Sequence, residues 1–177
     1  MRSFEEIMKD TFADRDLTPE QVPELDLYMD QVLTLLGDGL ADTKRHPDDK
    51  LITKTMINNY SKEKLLSPIG GKKYSHQHIM QILCVYQLKQ TLALADVKHL
   101  TGRTDVDFES CWRAYLDIKQ RVRETIPPQL LQGLDADLRD PSERLSLCLA
   151  LSTISDYMRR LCEAIIDEAE QEKGTEA

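Results

Sequence analysis

The sequence contains no long apolar run and no closely paired cysteines. None of its apolar stretches approaches the roughly 18 residues that a membrane-spanning helix requires. Its first twelve residues include several acids where a secretory signal needs a positive stretch and an apolar block, so we predict a cytoplasmic protein. No CxxC motif is present, which argues against a zinc knuckle and a disulfide framework. We expect buried free thiols at Cys84, Cys111, Cys148 and Cys162.

The sequence also lacks the patterns that support most enzyme chemistry. It has neither a GxxxxGK phosphate loop nor a GxGxxG fingerprint, and no nucleophile stands at the spacing of a catalytic base. His76 and His78 with Cys84 form the best metal candidate. A His-x-His motif at a helix start directs its side chains to different sides, however, so we interpret these histidines as surface residues. The sequence therefore predicts no enzyme, no metal site and no cofactor.

The chain has the composition of an ordinary globular protein with a strongly uneven charge. It has 177 residues, 41% of them hydrophobic, and a net charge of -8. Its mean hydropathy is -0.45. The length fits one domain, or a small domain with an appended helical region. Residues 1–49 carry five basic and thirteen acidic residues, whereas residues 50–78 carry six lysines and one acid. The lysines of this basic segment are Lys50, Lys54, Lys62, Lys64, Lys72 and Lys73.

Local signals predict a mainly α-helical fold with one small β wing. A first substantial helix follows Pro23, with apolar residues at helical spacing up to Leu40, and residues 41–49 form a polar connection. Thr53 is a suitable cap for a short helix, and Ser75 for the next one. Gly70-Gly71 predicts a tight turn between Ile69 and Tyr74, as in a two-stranded wing.

The C-terminal part of the sequence predicts two further helices. One runs from Asp107 to Ile126 and is ended by the Pro127-Pro128 pair. Asp140, followed by proline and an acid, predicts the start of a long last helix. Apolar residues in that helix repeat at spacings of four and three, which is the pattern of a heptad seam and of either an intramolecular bundle or a homodimer. The seam consists of Leu147, Leu151, Ile154, Met158, Leu161 and Ile165.

The basic segment has the side chains that a reader of double-stranded DNA requires. In the helix after Thr53, Met56, Ile57 and Tyr60 can pack inward while polar and cationic residues project outward. Lysines attract phosphates whatever the base sequence, and an Asn carboxamide can bond to the edge of adenine. The candidate DNA-binding residues are Lys54, Thr55, Asn58, Asn59, Tyr60 and Lys62 on this helix, with Lys72, Lys73 and Tyr74 in the wing.

These motifs resemble those of two families. The stretch TMINNYSKEKLLSP followed by IGGKKYSHQHI resembles the winged helix-turn-helix of the MerR family of bacterial regulators. That resemblance implies a recognition helix over Thr53-Lys62 in the major groove and a wing over Gly70-Tyr74 on the phosphate backbone. More closely, LITKTMINNY followed by KKYS resembles an uncharacterised bacterial family known only as a domain of unknown function.

Together, these features predict three parts and two alternative functions. Residues 1–24 form an N-terminal extension, 25–102 a MerR-like winged-helix domain, and 103–177 a helical region for dimerisation or effector binding. The first alternative is a homodimeric DNA-binding transcriptional regulator with no membrane partner. The second is a helical adaptor that binds protein through the winged-helix surface and not DNA.

Overall fold

The computed structural model describes residues 1–102, 105–134 and 136–175, and it is mainly α-helical, as the sequence predicts. The helices of the described residues are α1 (Phe4–Thr11), α2 (Met29–Gly39), α3 (Lys54–Lys62), α4 (His76–Leu88), α5 (Leu94–Thr101), α6 (Phe108–Gly133) and α7 (Pro141–Thr175). Two short strands accompany them, β1 (Leu27–Tyr28) and β2 (Lys73–Tyr74). Among the described residues, no helix is both long and apolar enough to cross a membrane.

The described residues form two compact units. Residues 15–117 form one unit, and residues 1–14 together with 118–177 form the other. In the first unit, α4 is the central element because eight of its thirteen residues are buried, whereas α2 and α3 bury only one face each. Trp112, at the start of α6, closes this core and donates a hydrogen bond from its indole nitrogen to the Leu17 carbonyl at 2.8 Å.

Three predicted helix starts are confirmed by their cap hydrogen bonds. The Thr53 hydroxyl accepts from the Met56 N–H at 3.2 Å, and the Ser75 hydroxyl accepts from the His78 N–H at 3.4 Å. At the start of α7, an Asp140 carboxylate oxygen accepts from two backbone N–H groups of the first turn. Such caps depend on a few neighbouring residues, which is why the sequence alone identifies them.

Two predictions, on where α6 ends and on the β wing, are wrong. Helix α6 does not end at Pro127-Pro128 but continues to Gly133, and the Leu134 N–H still donates to the Leu130 carbonyl at 2.8 Å. Two prolines remove two N–H donors, but the half-buried Leu130 and Leu134 keep the helix packed, and packing overrides local propensity. The predicted two-stranded wing is not formed between Ile69 and Tyr74 either. Strand β2 pairs instead with β1, antiparallel and far upstream.

Helix α1 was not expected, although its start carries a recognisable signal. The Ser3 hydroxyl accepts from the Glu6 N–H at 3.2 Å, while the Glu6 carboxylate accepts from the Ser3 N–H at 2.8 Å. This reciprocal pair is a capping box. Just after the helix, Asp14 pairs with Lys119 at 2.5 Å and with Arg123 at 3.0 Å.

The expectation of buried thiols holds only in part. Cys84 is half-buried, and its burial raises the pKa of its thiol to about 12. The other three are exposed, because they lie on the outer faces of α6 and α7; these are Cys111, Cys148 and Cys162.

Candidate nucleic-acid interface

Helix α3 has one face in the core and one in solvent. Ile57 and Tyr60 are buried on the inner face, and Met56 is half-buried beside them. Five polar residues therefore share the opposite face, since positions three and four apart lie together on a helix. All five are exposed: Lys54, Thr55, Asn58, Asn59 and Lys62.

The end of α3 is fixed by a left-handed residue. Lys64 has a φ of 60°, its N–H donates to the Ser61 carbonyl at 3.1 Å, and the next N–H, of Leu65, donates to the Tyr60 carbonyl at 2.9 Å. These two bonds form a Schellman motif, in which the left-handed position is usually glycine. The fully buried Leu65 anchors the motif in the core, so the chain leaves α3 in a defined direction.

Residues 70–73 form a tight turn that projects two cations. The Lys73 N–H donates to the Gly70 carbonyl at 3.2 Å, and both central residues are left-handed, Gly71 with a φ of 61° and Lys72 with a φ of 62°. Positive φ at both positions defines a type I′ turn. Glycine adopts this conformation freely, whereas lysine does so at a cost, because its Cβ crowds the backbone.

Strand β1 holds Lys73 in place beside this turn. Tyr28 is the cross-strand partner of Lys73, and the ammonium group of Lys73 lies 5.1 Å from the centre of the Tyr28 ring. That distance is within the range of a cation–π interaction. Tyr28 itself is exposed, at the residue just before α2 begins.

Two of the candidate DNA-binding residues require correction. Tyr60 and Tyr74 are each only 5% exposed, and burial raises the pKa of both phenols, so both stay neutral. Their rings pack under α3 and under the turn; Tyr74 meets the ring of His78 edge-on, with centroids 6.3 Å apart. These two tyrosines are therefore not available to contact DNA, and their rings instead pack beneath the exposed residues of α3 and the turn.

The lysines of the basic segment are free of carboxylates. All six are exposed, and within the described parts of the chain none of them pairs with an acidic side chain. Among the described residues outside this segment, some cations form ion pairs, such as Arg15 with Asp42 at 2.7 Å and Arg113 with Glu109 at 2.7 Å, whereas others, such as Lys9 and Lys98, are exposed without one. The basic segment therefore keeps its charge available to an external anion.

Two grooves next to α3 are lined by different lysines. One open groove is lined by Asn59 and Lys62 together with Lys50 and, just after α4, Lys89; two acidic residues, Asp49 and Glu63, also line it. Lys64 lines a different groove, next to Ser67, Gln81 and Thr101. No sequence pattern points to Lys89, which lies outside the basic segment, whereas Lys50 belongs to that segment but is not among the candidate DNA-binding residues.

The histidine pair does not behave as predicted. His76 is buried and not on the surface: its Nε2 lies 3.3 Å from a Glu109 oxygen and its Nδ1 lies 3.7 Å from a Glu24 oxygen. His78 turns to another side, where its Nδ1 contacts the Ser75 hydroxyl at 2.8 Å. In the described part of the molecule, no three histidine, cysteine or acidic side chains are grouped in a way that could hold a metal ion.

The structure buries only the first part of the predicted seam of α7. Leu147 is buried and Leu151 half-buried within their own unit. The remaining four seam residues are exposed: Ile154, Met158, Leu161 and Ile165.

Comparison with known proteins identifies a family for the part of the chain that includes α3 and the turn. No curated protein and no solved structure is significantly similar to the chain. One family profile, described as Domain of unknown function (DUF1836), matches residues 17–110, which is just over half of the 177 residues. The match runs from before β1 to the start of α6 and contains the whole basic segment. The more distant MerR resemblance stays a prediction. The chain belongs to the DUF1836 family, as the LITKTMINNY and KKYS motifs indicated.

Proposed function

We propose that this protein binds double-stranded DNA as a transcriptional regulator, with the outer face of α3 in the major groove and the 70–73 turn on the phosphate backbone. The observation that carries the proposal is the set of exposed lysines on α3 and on the turn that form no ion pair, in a chain whose net charge is -8. In such a chain, cations that are kept apart from the many available carboxylates favour a polyanionic partner.

The outer face of α3 has the two kinds of group that such a reader uses. Lys54, Asn58 and Lys62 follow one another at intervals of four, so ammonium groups flank a carboxamide along one line of the helix. The ammonium groups supply affinity for phosphates, and the carboxamides of Asn58 and Asn59 supply hydrogen bonds to base edges. Point charges replace the bidentate guanidinium groups of the MerR pattern, so we expect much of the affinity to be independent of base sequence.

The turn adds a second contact with the backbone of the nucleic acid. Lys72 occupies a left-handed position where asparagine or glycine would be less strained, and backbone strain of this kind is concentrated at functional sites. Lys73 is oriented by the ring of Tyr28.

The first experiment measures salt dependence with a short duplex of random sequence and fluorescence anisotropy. If the surface neutralises about four phosphates, the logarithm of the binding constant falls with a slope of about -3.6 against the logarithm of salt concentration. Between 50 and 200 mM salt this slope weakens binding roughly a hundredfold. Absence of duplex binding even at low salt would contradict the proposal and favour an adaptor that uses the same surface for an acidic protein.

A pair of matched variants then locates the surface. Lys54→Glu with Lys73→Glu changes the net charge by four units and should abolish binding without altering helical content or melting. The control, Lys9→Glu with Lys98→Glu, makes the same charge change at two exposed lysines on α1 and α5. We expect it to weaken binding only slightly. Equal binding by the two double variants would contradict the proposed surface.

A further inference from the structure

One face of α7 carries apolar side chains that its own chain leaves uncovered. Ile154, Met158, Leu161 and Ile165 are 39%, 54%, 55% and 62% exposed, and they follow one another at spacings of four, three and four. Residues at this spacing lie on one line of a helix, and Tyr157, which is 57% exposed, lies beside them. We call these five residues the α7 stripe.

The stripe continues a line whose earlier part already packs within its own unit. Leu147, one heptad before Ile154 on the same line, is only 7% exposed, and Ile166, which points to another side of the helix, is 4% exposed. The helix is therefore already held by other residues. At its far end, the stripe stops at Glu168, which occupies the next position of the pattern.

Charges of α7 are directed away from the stripe. Arg159 bonds to Asp156 at 2.5 Å and also to Glu163, so these three charged side chains form one cluster that lies away from the stripe. The positions that flank the stripe carry small uncharged side chains, namely Ser155, Cys162 and Ala164. An apolar line with neutral flanks is typical of a helix that is buried against another helix.

We propose that the α7 stripe is the contact of a homodimer, and this inference is independent of DNA binding. The stripe exposes on the order of 500 Å² of surface, near the upper limit for a patch on a monomeric protein. Two copies would bury about 1,000 Å² from the stripes alone, which reaches the lower limit for a specific interface. Because the stripe has no charge, it does not favour an oppositely charged partner. The same stripe on a second copy of the chain is apolar too and is therefore complementary to it.

The spacing makes the stripe complementary to itself. In an antiparallel pair related by a two-fold axis, Ile154 lies against Ile165 of the partner subunit, and Met158 against Leu161 of the partner subunit. The bulky Tyr157 then lies beside Ala164 of the partner subunit. Because the sequence of intervals is the same in both directions, all four seam residues find an apolar neighbour in a single register.

Light scattering after size-exclusion chromatography of the full chain, without DNA, tests this proposal. We expect the wild type to have twice the chain mass of 20.3 kDa over a wide range of concentrations. Met158→Lys should have the single-chain mass, because each dimer would bury two ammonium groups. The matched control is Leu149→Lys, since Leu149 is 60% exposed on the opposite side of α7, and it should remain dimeric.

Two milder measurements keep the proposal testable if the lysine variant fails to fold. Met158→Ala should raise the dissociation constant of the dimer at least tenfold, because it removes buried apolar surface twice per dimer. Alkylation of Cys162 should be slower in the wild type than in Met158→Ala, relative to Cys111 in the same chain. A wild type that stays monomeric at all concentrations, or equal masses for Met158→Lys and Leu149→Lys, would overturn the inference whether or not the protein binds DNA.

Discussion

A substitution at Lys72 can separate the effect of the turn's charge on DNA binding from the effect of its backbone conformation on stability. Its φ of 62° lies in the left-handed region, which costs an ordinary residue roughly 1 kcal/mol. Asparagine tolerates this region better, so Lys72→Asn should relieve about half of that cost, or about 0.5 kcal/mol. For a chain of this length, such a gain raises the melting temperature by about 1–2 °C.

The same substitution should weaken DNA binding. Loss of one lysine–phosphate contact makes the salt slope less steep by about 0.9 and lowers affinity roughly five- to tenfold near 0.1 M salt. We therefore expect a variant that is slightly more stable but binds less tightly. This combination is informative because ordinary damage to the fold would lower the stability and the affinity together.

Lys64→Asn is the matched control for this variant. Lys64 is also exposed and left-handed, with a φ of 60°, but it lines a different groove from the outer face of α3. We expect the same rise in melting temperature and an unchanged salt slope, as measured by thermal unfolding and anisotropy. If Lys72→Asn lowers the melting temperature, or if both variants bind DNA like the wild type, the reasoning about the turn is refuted.

Two further predictions concern stability. Gln81 is 3% exposed, accepts from the Ser67 N–H at 2.8 Å and donates to the buried Thr101 carbonyl at 3.2 Å, so Gln81→Met should cost about 2–4 kcal/mol in urea unfolding. A loss below about 0.5 kcal/mol would show that water replaces both bonds. Hydrogen bonding to Arg113 lowers the pKa of Glu20 from 4.5 to about 2. The contribution of this ion pair to the free energy of unfolding is complete above pH 4.5 and is lost as the pH falls towards 2. Glu20→Gln should therefore make the stability depend less steeply on pH in this acid range. An unchanged pH dependence would contradict this prediction.

The sequence predicts those parts of the fold that depend on neighbouring residues. The caps at Thr53, Ser75 and Asp140 are examples, because each cap bonds within three residues of itself. The exposed face of α3 is also predictable, since its apolar residues follow the helical period.

The features that the sequence does not predict depend on distant segments or on an uncommon residue. His76 is buried between carboxylates from two other parts of the chain, and β1 is identified as the partner of β2 only in three dimensions. The predicted end of the recognition helix at Lys62 is confirmed, but the left-handed conformation of Lys64 after it has no sequence signal, because that position is usually glycine. In α7, the heptad spacing predicts the seam, but it does not predict which seam residues are buried by the rest of the unit.

The pairing of β1 with β2 has a consequence for how the molecule loses its shape. Leu27 and Tyr74 are 47 positions apart, and each strand has only two residues. A ladder that is so short and closes so long a loop gains little enthalpy against a large entropic penalty, so we expect it to form late in folding and to open first on warming. Amide exchange within β1 and β2 would detect this opening while far-ultraviolet circular dichroism still recorded intact helices. The dichroism signal alone would therefore overstate the temperature range in which the turn keeps its orientation.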